Sequence, residues 1–512
     1  MEEGLVELAR TTAAESDRPI TCIICDVFVP SAASVCERLG IPEVAFWTQS
    51  AVSFAVHLFA IENYASLKDS ESAITKIPGC PALSLRELPT FLQSLDPSEY
   101  YFAYLKKCFD IAIRCPRILL NTFQELEGAT LKSINKNENV YAVGPLLPEQ
   151  GRSFIDLHSA TDECLRWLDN QKPRSVLYIS FGSIALVSEA QFAEIAAALE
   201  SSECAFLMVV RAAMIEGGEE ARFPVGFRER VNDSGRGFFV EWAPQFQVLS
   251  HGSIGGFFTH CGWNSILEGI RTGVPFLCWP YFADQLQNCR CLVEAWGIGL
   301  EFKDDSGRPL PPMGAHFITR HAIKEKIQEL MDPSSSSSLR ERCKQQRIGA
   351  VKALLEEDGS SYASLKSFVS WLYDAPVSKP ICLNGDYGSE KEIHEATVGK
   401  QTVLNEDGYQ KGIHDALARN QSALEEENGF EKKVNDALIR KQIVLNEQNG
   451  FENKVHDAVV REQTELNEED GSEKEIPDAS VPKQVALKEE DGCNASTQKP
   501  ISLINEDYST SF

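Results

Sequence analysis

Short continuous apolar runs, each ending abruptly on a polar residue or a glycine, constrain the fold of this chain more than any other feature. The first lies in "PITCIICDVF" at 19–28, where Ile20 to Cys25 are apolar or nearly so and Asp26 follows at once. "VAFW", "ILLN", "SVLYISFGS", "GFFTH" and "VPFLCWP" repeat the pattern further along. Such runs, lacking polar alternation, suit strands covered on both faces, as in a parallel sheet. Between them lie helix-length stretches such as "SAASVCERLG" and "TFQELEGATLKSI". Strand and helix in alternation make an α/β fold. In open α/β sheets the carboxyl ends of the strands face ligands. Asp26 stands at such an end, and so do "SFGS" at 180–183 and the residues after "GFFTH".

Composition narrows the function classes. A net charge of −26 over 512 residues argues against nucleic acid or an anionic membrane as the main partner. No apolar run approaches the roughly 18–20 residues needed to span a bilayer. The opening "MEEGLVELARTTAAESDRP" has no basic segment leading into an apolar one, so the expectation is a cytoplasmic protein without a signal peptide. Many of the fifteen cysteines, among them Cys22, Cys25, Cys108 and Cys278, lie in apolar stretches and read as reduced core thiols. Cys22 and Cys25 form a CxxC inside a strand with no second pair, and no metal site or cofactor is expected.

Three zones follow one another. Residues 1–150 alternate strand and helix, and "VGPLLPEQGRS" reads as a linker. Residues 151–375 hold a second α/β run that closes on "GSSYASLKSFVSWLYD". In residues 376–512, Leu404, Leu424, Leu445, Leu466 and Leu487 each open a variant of "LNExxG". Residues 381–512 carry a net charge of about −14, more than half of the total. Each repeat offers too few apolar residues to offset the entropy of ordering the chain. The tail therefore reads as disordered with transient helix, or alternatively as an acidic arm that binds a protein partner.

The chemistry concentrates in "WAPQFQVLSHGSIGGFFTHCGWNSILEGIRTGVPFLCWPYFADQ", from Trp242 to Gln285. "IGGFFTH" reads as a strand ending at His260, "CGWN" as a tight turn, and "SILEGIRTG" as a helix whose terminal glycine is Gly273. Strand, glycine turn and helix N-terminus together present unpaired N–H groups and a positive dipole end, which suits a diphosphate. Asn264, Ser265 and His260 add side-chain donors. A rival reading takes Ser265 to Glu268 as a capping box, S-x-x-E, which needs no ligand. Trp242 and Trp263 are candidate surfaces for a base or sugar ring, although a lone tryptophan is more often core. Asp284 and Gln285 suit sugar hydroxyls or are ordinary loop polarity.

This segment resembles the signature box of the plant-type UDP-dependent glycosyltransferases (family 1), over its full span from "WAPQ" to "DQ". "FWTQSA", "IPGCPALSLRELPTFL", "LLNTFQELE" and "CLRWLDNQKPRSVLYISFGS" extend the likeness, which covers residues 5 to about 374. The resemblance implies a GT-B fold, two facing Rossmann-like domains with the donor in the second and a last helix crossing back onto the first. It implies that Trp242 stacks on uracil, that the backbone near Ala243 and Gln245 holds the uridine, and that Glu268 takes the ribose hydroxyls. His260, Asn264, Ser265 and Ser183 would hold the diphosphate, and Trp263, Asp284, Gln285 and Thr48 would surround the hexose. A terminal glutamine, here Gln285, goes with UDP-glucose. The acceptor would be a small lipophilic alcohol or phenol, with a flavonoid as the default, and no metal is implied.

Transfer with inversion needs a base for the acceptor hydroxyl. The family uses a histidine oriented by an aspartate, in triad fashion. Asp26 matches that aspartate and Phe28 falls beside the acceptor pocket, but residues 1–25 contain no histidine. His57 lies in a helical stretch and is a poor substitute. The aspartate strand is the family's fourth, so the resemblance implies three further βα units, roughly 90 residues at ~30 each, which these residues do not contain. The first domain is therefore expected to be incomplete, with "ITCIIC" as an unpaired apolar edge. A catalytically impaired protein that binds UDP-sugar is the alternative to an active glucosyltransferase.

Overall fold

The computed structural model describes residues 2–16, 20–68, 77–147 apart from 94, 95, 97 and 99, and 158–374 apart from 184, 212–213, 216–222 and 357. The acidic repeats of 376–512 and most of the proposed linker lie outside the described residues.

In the first half the order is α1 (Glu2–Ser16), β1 (Ile23–Asp26), α2 (Ser31–Leu39), β2 (Glu43–Trp47), α3 (Ala51–Lys68), α4 (Tyr100–Ala112), β3 (Arg117–Leu120), α5 (Gln124–Ile134) and β4 (Val140–Ala142). The four strands form one parallel sheet in sequential order, β1-β2-β3-β4. The first apolar run yields a shorter strand than it suggests. β1 starts at Ile23 because its one partner starts at Glu43, and Ile24 is half exposed rather than covered on both faces. It is the edge of this sheet among the described residues.

The second half runs α6 (His158–Asp169), β5 (Val176–Ser180), α7 (Glu189–Ser202), β6 (Ala205–Val209), α8 (Phe227–Asp233), β7 (Gly237–Val240), α9 (Gln245–Ser250), β8 (Ile254–Thr259), α10 (Trp263–Thr272), β9 (Phe276–Cys278), α11 (Gln285–Arg290), β10 (Gly299–Glu301), α12 (Arg320–Met331) and α13 (Ser337–Ala353). Its parallel sheet has the order β7-β6-β5-β8-β9-β10. The direction of winding reverses between β5 and β8, the crevice where doubly wound sheets bind ligands. β5 and β8 are buried along their whole length, which explains their unbroken apolar runs.

The two halves belong to one compact unit. The last helix, α14 (Ser360–Asp374), leaves the second sheet and packs on the first, where Phe368 joins Val44, Leu119 and Val143. The Arg117 guanidinium lies 4.7 Å from the Trp371 ring centroid, and Ser361 donates to the Gly144 carbonyl. Among the described residues no helix is long and apolar enough to cross a membrane.

One buried charge organises the first half. The Glu127 carboxylate, on α5, accepts the N–H groups of Ala51 (2.8 Å) and Val52 (2.9 Å) and the Thr122 hydroxyl (2.5 Å). The two N–H groups are first-turn donors of α3, which otherwise have no intrahelical partner. Burial raises the Glu127 carboxyl above its ordinary range, and the three donors pull it back. Glu127→Ala leaves those donors unpaired, and we expect a loss of about 2–4 kcal/mol in urea unfolding, against a smaller loss for Glu127→Gln. Equal stability of Glu127→Ala and the parent would refute this.

Candidate functional site

Two strand-end turns meet at the reversal point of the second sheet, and one imidazole holds them apart. β5 ends at Ser180 and turns through Gly182, whose φ of +75° is left-handed. β8 ends at Thr259, and Cys261 bends the chain with a φ of +67°. A side-chain carbon at Gly182 or at Gly262 would come within 2.5 Å of His260 Nε2. Both glycines are required by that contact. Burial pushes the His260 imidazole down to about 4 against the Ser180 main chain, so it is neutral near pH 7, and among the described residues its buried Nδ1 has no partner at hydrogen-bonding geometry. Ser183 and Asn264 stand exposed on either side of it.

α10 begins two residues earlier than its sequence suggests, at Trp263, with Gly262 as N-cap and no side-chain cap. The capping-box reading is thereby corrected: Ser265 lies inside the first turn, and its Oγ accepts from Gln245 Nε2 at 2.9 Å. The N–H groups of that turn stay available for an anion. Gln245 Nε2 also donates to Glu268 at 2.6 Å, and the Tyr178 hydroxyl donates to Gln245 Oε1 at 3.2 Å. Burial raises the Glu268 carboxyl to about 7, with the Gln245 amide opposing. Trp242 follows β7 with an exposed indole, while Ala243 beside it is buried.

The other tryptophan is no open platform. The Trp263 ring is buried, and its Nε1 donates to the Asn121 carbonyl of the first half at 2.7 Å, so the sugar-platform reading of that ring is corrected. Asp284 and Gln285 are buried as well. Gln285 Oε1 accepts the N–H groups of Tyr281 and Phe282, which holds the turn before α11. Asp284 Oδ2 accepts from Asn288 Nδ2 at 2.8 Å, and burial raises that carboxyl to about 6.

Asn288 went unnoticed in the sequence and links the two halves. Its Nδ2 also donates to the Cys261 carbonyl, and its Oδ1 accepts the Ser50 hydroxyl of "FWTQSA" at 3.4 Å. A spacing of four from Asp284 on a short helix was the available signal.

Asp26 closes its own turn. Oδ1 accepts the Phe28 N–H at 2.8 Å, Oδ2 accepts the Thr48 hydroxyl at 3.5 Å, and burial raises its pKa against both. Thr48 thus sits against Asp26. The Tyr104 hydroxyl donates to the Phe28 carbonyl, and the Phe28 ring lies 5.3 Å from Trp47. No histidine bonds to Asp26 among the described residues. His57 is a core residue, stacked on Phe109 at 5.1 Å and bonded through Nδ1 to the Ser53 carbonyl, and burial lowers it to about 4.

Comparison with known proteins finds relatives of this chain. The family model described as UDP-glucoronosyl and UDP-glucosyl transferase matches residues 159–312. UDP-glycosyltransferase 85A1 of Arabidopsis thaliana is 35% identical over 388 residues, which are 71% of this chain and 76% of that one. 7-deoxyloganetin glucosyltransferase of Catharanthus roseus is 32% identical over 393 residues, 73% of this chain and 78% of that one. The structure of Phytolacca americana UGT2 complexed with UDP-2fluoro-glucose and pterostilbene aligns with a TM-score of 0.59 at 31% identity. It covers 72% of this chain and 80% of that chain.

Burial holds the Glu268 and Asp284 carboxyls at about 7 and about 6, above their unfolded values near 4. The folded state therefore keeps extra protons between those limits, and the stability they contribute is complete below about pH 4 and lost as pH rises through about 6 and 7. His57 and His260, lowered to about 4 by burial, shift stability the opposite way over the same range, so the test is a difference between variant and parent. In thermal scans of the ligand-free protein the melting temperature of Glu268→Gln relative to the parent should rise from about pH 5 to pH 8, and a difference that does not change with pH would count against the assignment.

Proposed function

The chain belongs to the plant UDP-glycosyltransferases, and from that premise we propose that it transfers glucose from UDP-glucose to a hydroxyl of a small lipophilic acceptor, with inversion. The observation that carries the donor half is the uncapped start of α10 beside His260, with Ser183 and Asn264 exposed around it. In this reading a diphosphate lies on those N–H groups, where its developing charge on departure is held by donors already in place. Glu268 takes the ribose hydroxyls once ionised, Trp242 stacks on the uracil, and the peptide near Ala243 and Gln245 holds the base. Ser265, Trp263 through its main chain, Asp284, Gln285 and Thr48 border the phosphates and the hexose. Gln285 favours glucose, on the family pattern.

On the acceptor side Phe28, Tyr104 and the buried Trp47 give Asp26 an aromatic surround. That setting supports a phenolic or terpenoid acceptor, and flavonoids stand as the default among phenolics. The relative named for 7-deoxyloganetin and the structure holding pterostilbene span both classes. A second reading, UDP-sugar binding without transfer, is favoured by one observation: both oxygens of Asp26 engage local partners, and no histidine is among them.

Isotope-labelled UDP-glucose with a panel of phenolic and terpenoid acceptors separates the two readings. Labelled glycoside in any acceptor lane supports the transferase, whereas calorimetric UDP binding with an unlabelled panel overturns it in favour of binding without transfer. Trp242→Ala, an exposed position that leaves the core intact, should weaken UDP binding roughly ten-fold or more, as loss of a base–aromatic stack does. Unaltered affinity in that variant would remove Trp242 from the site.

A further inference from the structure

Three thiols that the sequence scatters meet in the core of the second half. Cys261 comes from the turn after β8, Cys278 from the end of β9 and Cys289 from α11, and their Sγ atoms all lie within 4.8 Å of one another. As thiols they are held loosely: Cys261 donates to the Thr259 carbonyl and Cys289 to Glu301 Oε2, each at 3.8 Å. A cavity of about 40 Å³ opens beside them, lined by Cys278, Cys289, Glu301, Arg290 and Glu87. That volume exceeds the roughly 10–15 Å³ that one water requires. Arg290 is shared among Glu87, Glu294 and Glu301, and Lys303 pairs with Glu301, so three carboxylates face two cations. The wall carries surplus negative charge before any thiol ionises.

We propose that Cys261, Cys278 and Cys289, with the Glu301 carboxylate as fourth ligand, form a binding site for one thiophilic divalent cation, zinc(II) in the first place. Sulfur and one oxygen are the donor set that soft thiolate sites offer to zinc. In a tetrahedral zinc site neighbouring sulfurs lie roughly 3.8 Å apart, so closing on the ion moves each thiol by under about 1 Å. Binding exchanges three thiol protons for the cation, and the protons leave to solvent. The cavity is the entry path and Glu301 is already 3.8 Å from one sulfur. An ion there ties together the turn after His260, the end of β9 and the helix after Asp284. It braces the donor side from behind without touching the substrate.

The reduced full-length chain is titrated with cadmium(II) alone and with zinc(II) alone. We expect one ion per chain by native mass spectrometry and a sulfur-to-cadmium charge-transfer band that saturates at one equivalent. Zinc should raise the melting temperature, and X-ray absorption at the zinc edge should give three sulfur neighbours and one oxygen. Cys278→Ala and Cys289→Ala should each abolish the band. No band in the parent at one equivalent, a band undiminished in both variants, or fewer than three sulfurs around zinc would each overturn the site. The parent's sulfur count decides the matter even where a variant fails to fold.

Discussion

The imidazole of His260 fixes the geometry on which the donor side of this molecule depends. It fills the crevice between the turns after β5 and β8 so closely that neither Gly182 nor Gly262 has room for a side chain. The left-handed bends at Gly182 and Cys261 follow from threading two chains past one ring. With Gly262 forced to be small, α10 starts without a side-chain cap on its first N–H groups. The proposed anion site thus rests on a packing constraint, with the Arg211 guanidinium close enough to help keep the His260 imidazole neutral.

A second set of contacts sets the halves against each other. The Trp263 indole bonds to the Asn121 carbonyl, Ala283 donates to Thr90, and Arg290 reaches Glu87 at 3.0 Å. Ser50 and Asn288 close the same seam next to Asp284. These bonds connect residues far apart in sequence, and several belong to the donor segment itself. Side chains that would be free in one isolated domain are committed here to holding the other. This accounts for the buried Trp263, whereas Asp284 and Gln285 are buried with bonds inside the second half, and Trp242 keeps an open face.

Much of this was legible beforehand. Unbroken apolar runs marked β5, β8 and β9, because strands buried on both faces cannot carry polar alternation. Gly273 ended α10 where a left-handed cap was anticipated, at φ +76°. The start of the same helix was misread. Ser-x-x-Glu fits a capping box, but Ser265 is already the third residue of the first turn, since Gly262 is the residue the His260 ring permits at the cap. Glu127 could not be singled out either, because its partners are main-chain groups on a helix reached only through the fold.

The sequence by itself determined the α/β class, the family and the short list of polar residues at strand ends. Those properties are local: they rest on apolar periodicity, turn residues and fixed spacings along one segment. Tertiary structure decided which of those residues share a partner. It brought Gln245 to Glu268, Thr48 to Asp26 and Asn288 to Ser50. It also gathered Cys261, Cys278 and Cys289 within reach of one ion. Parallel strands place residues side by side across crossover connections of a dozen or more residues, and hydrogen bonds and thiol contacts form at a few ångströms, so no spacing along the chain announces them.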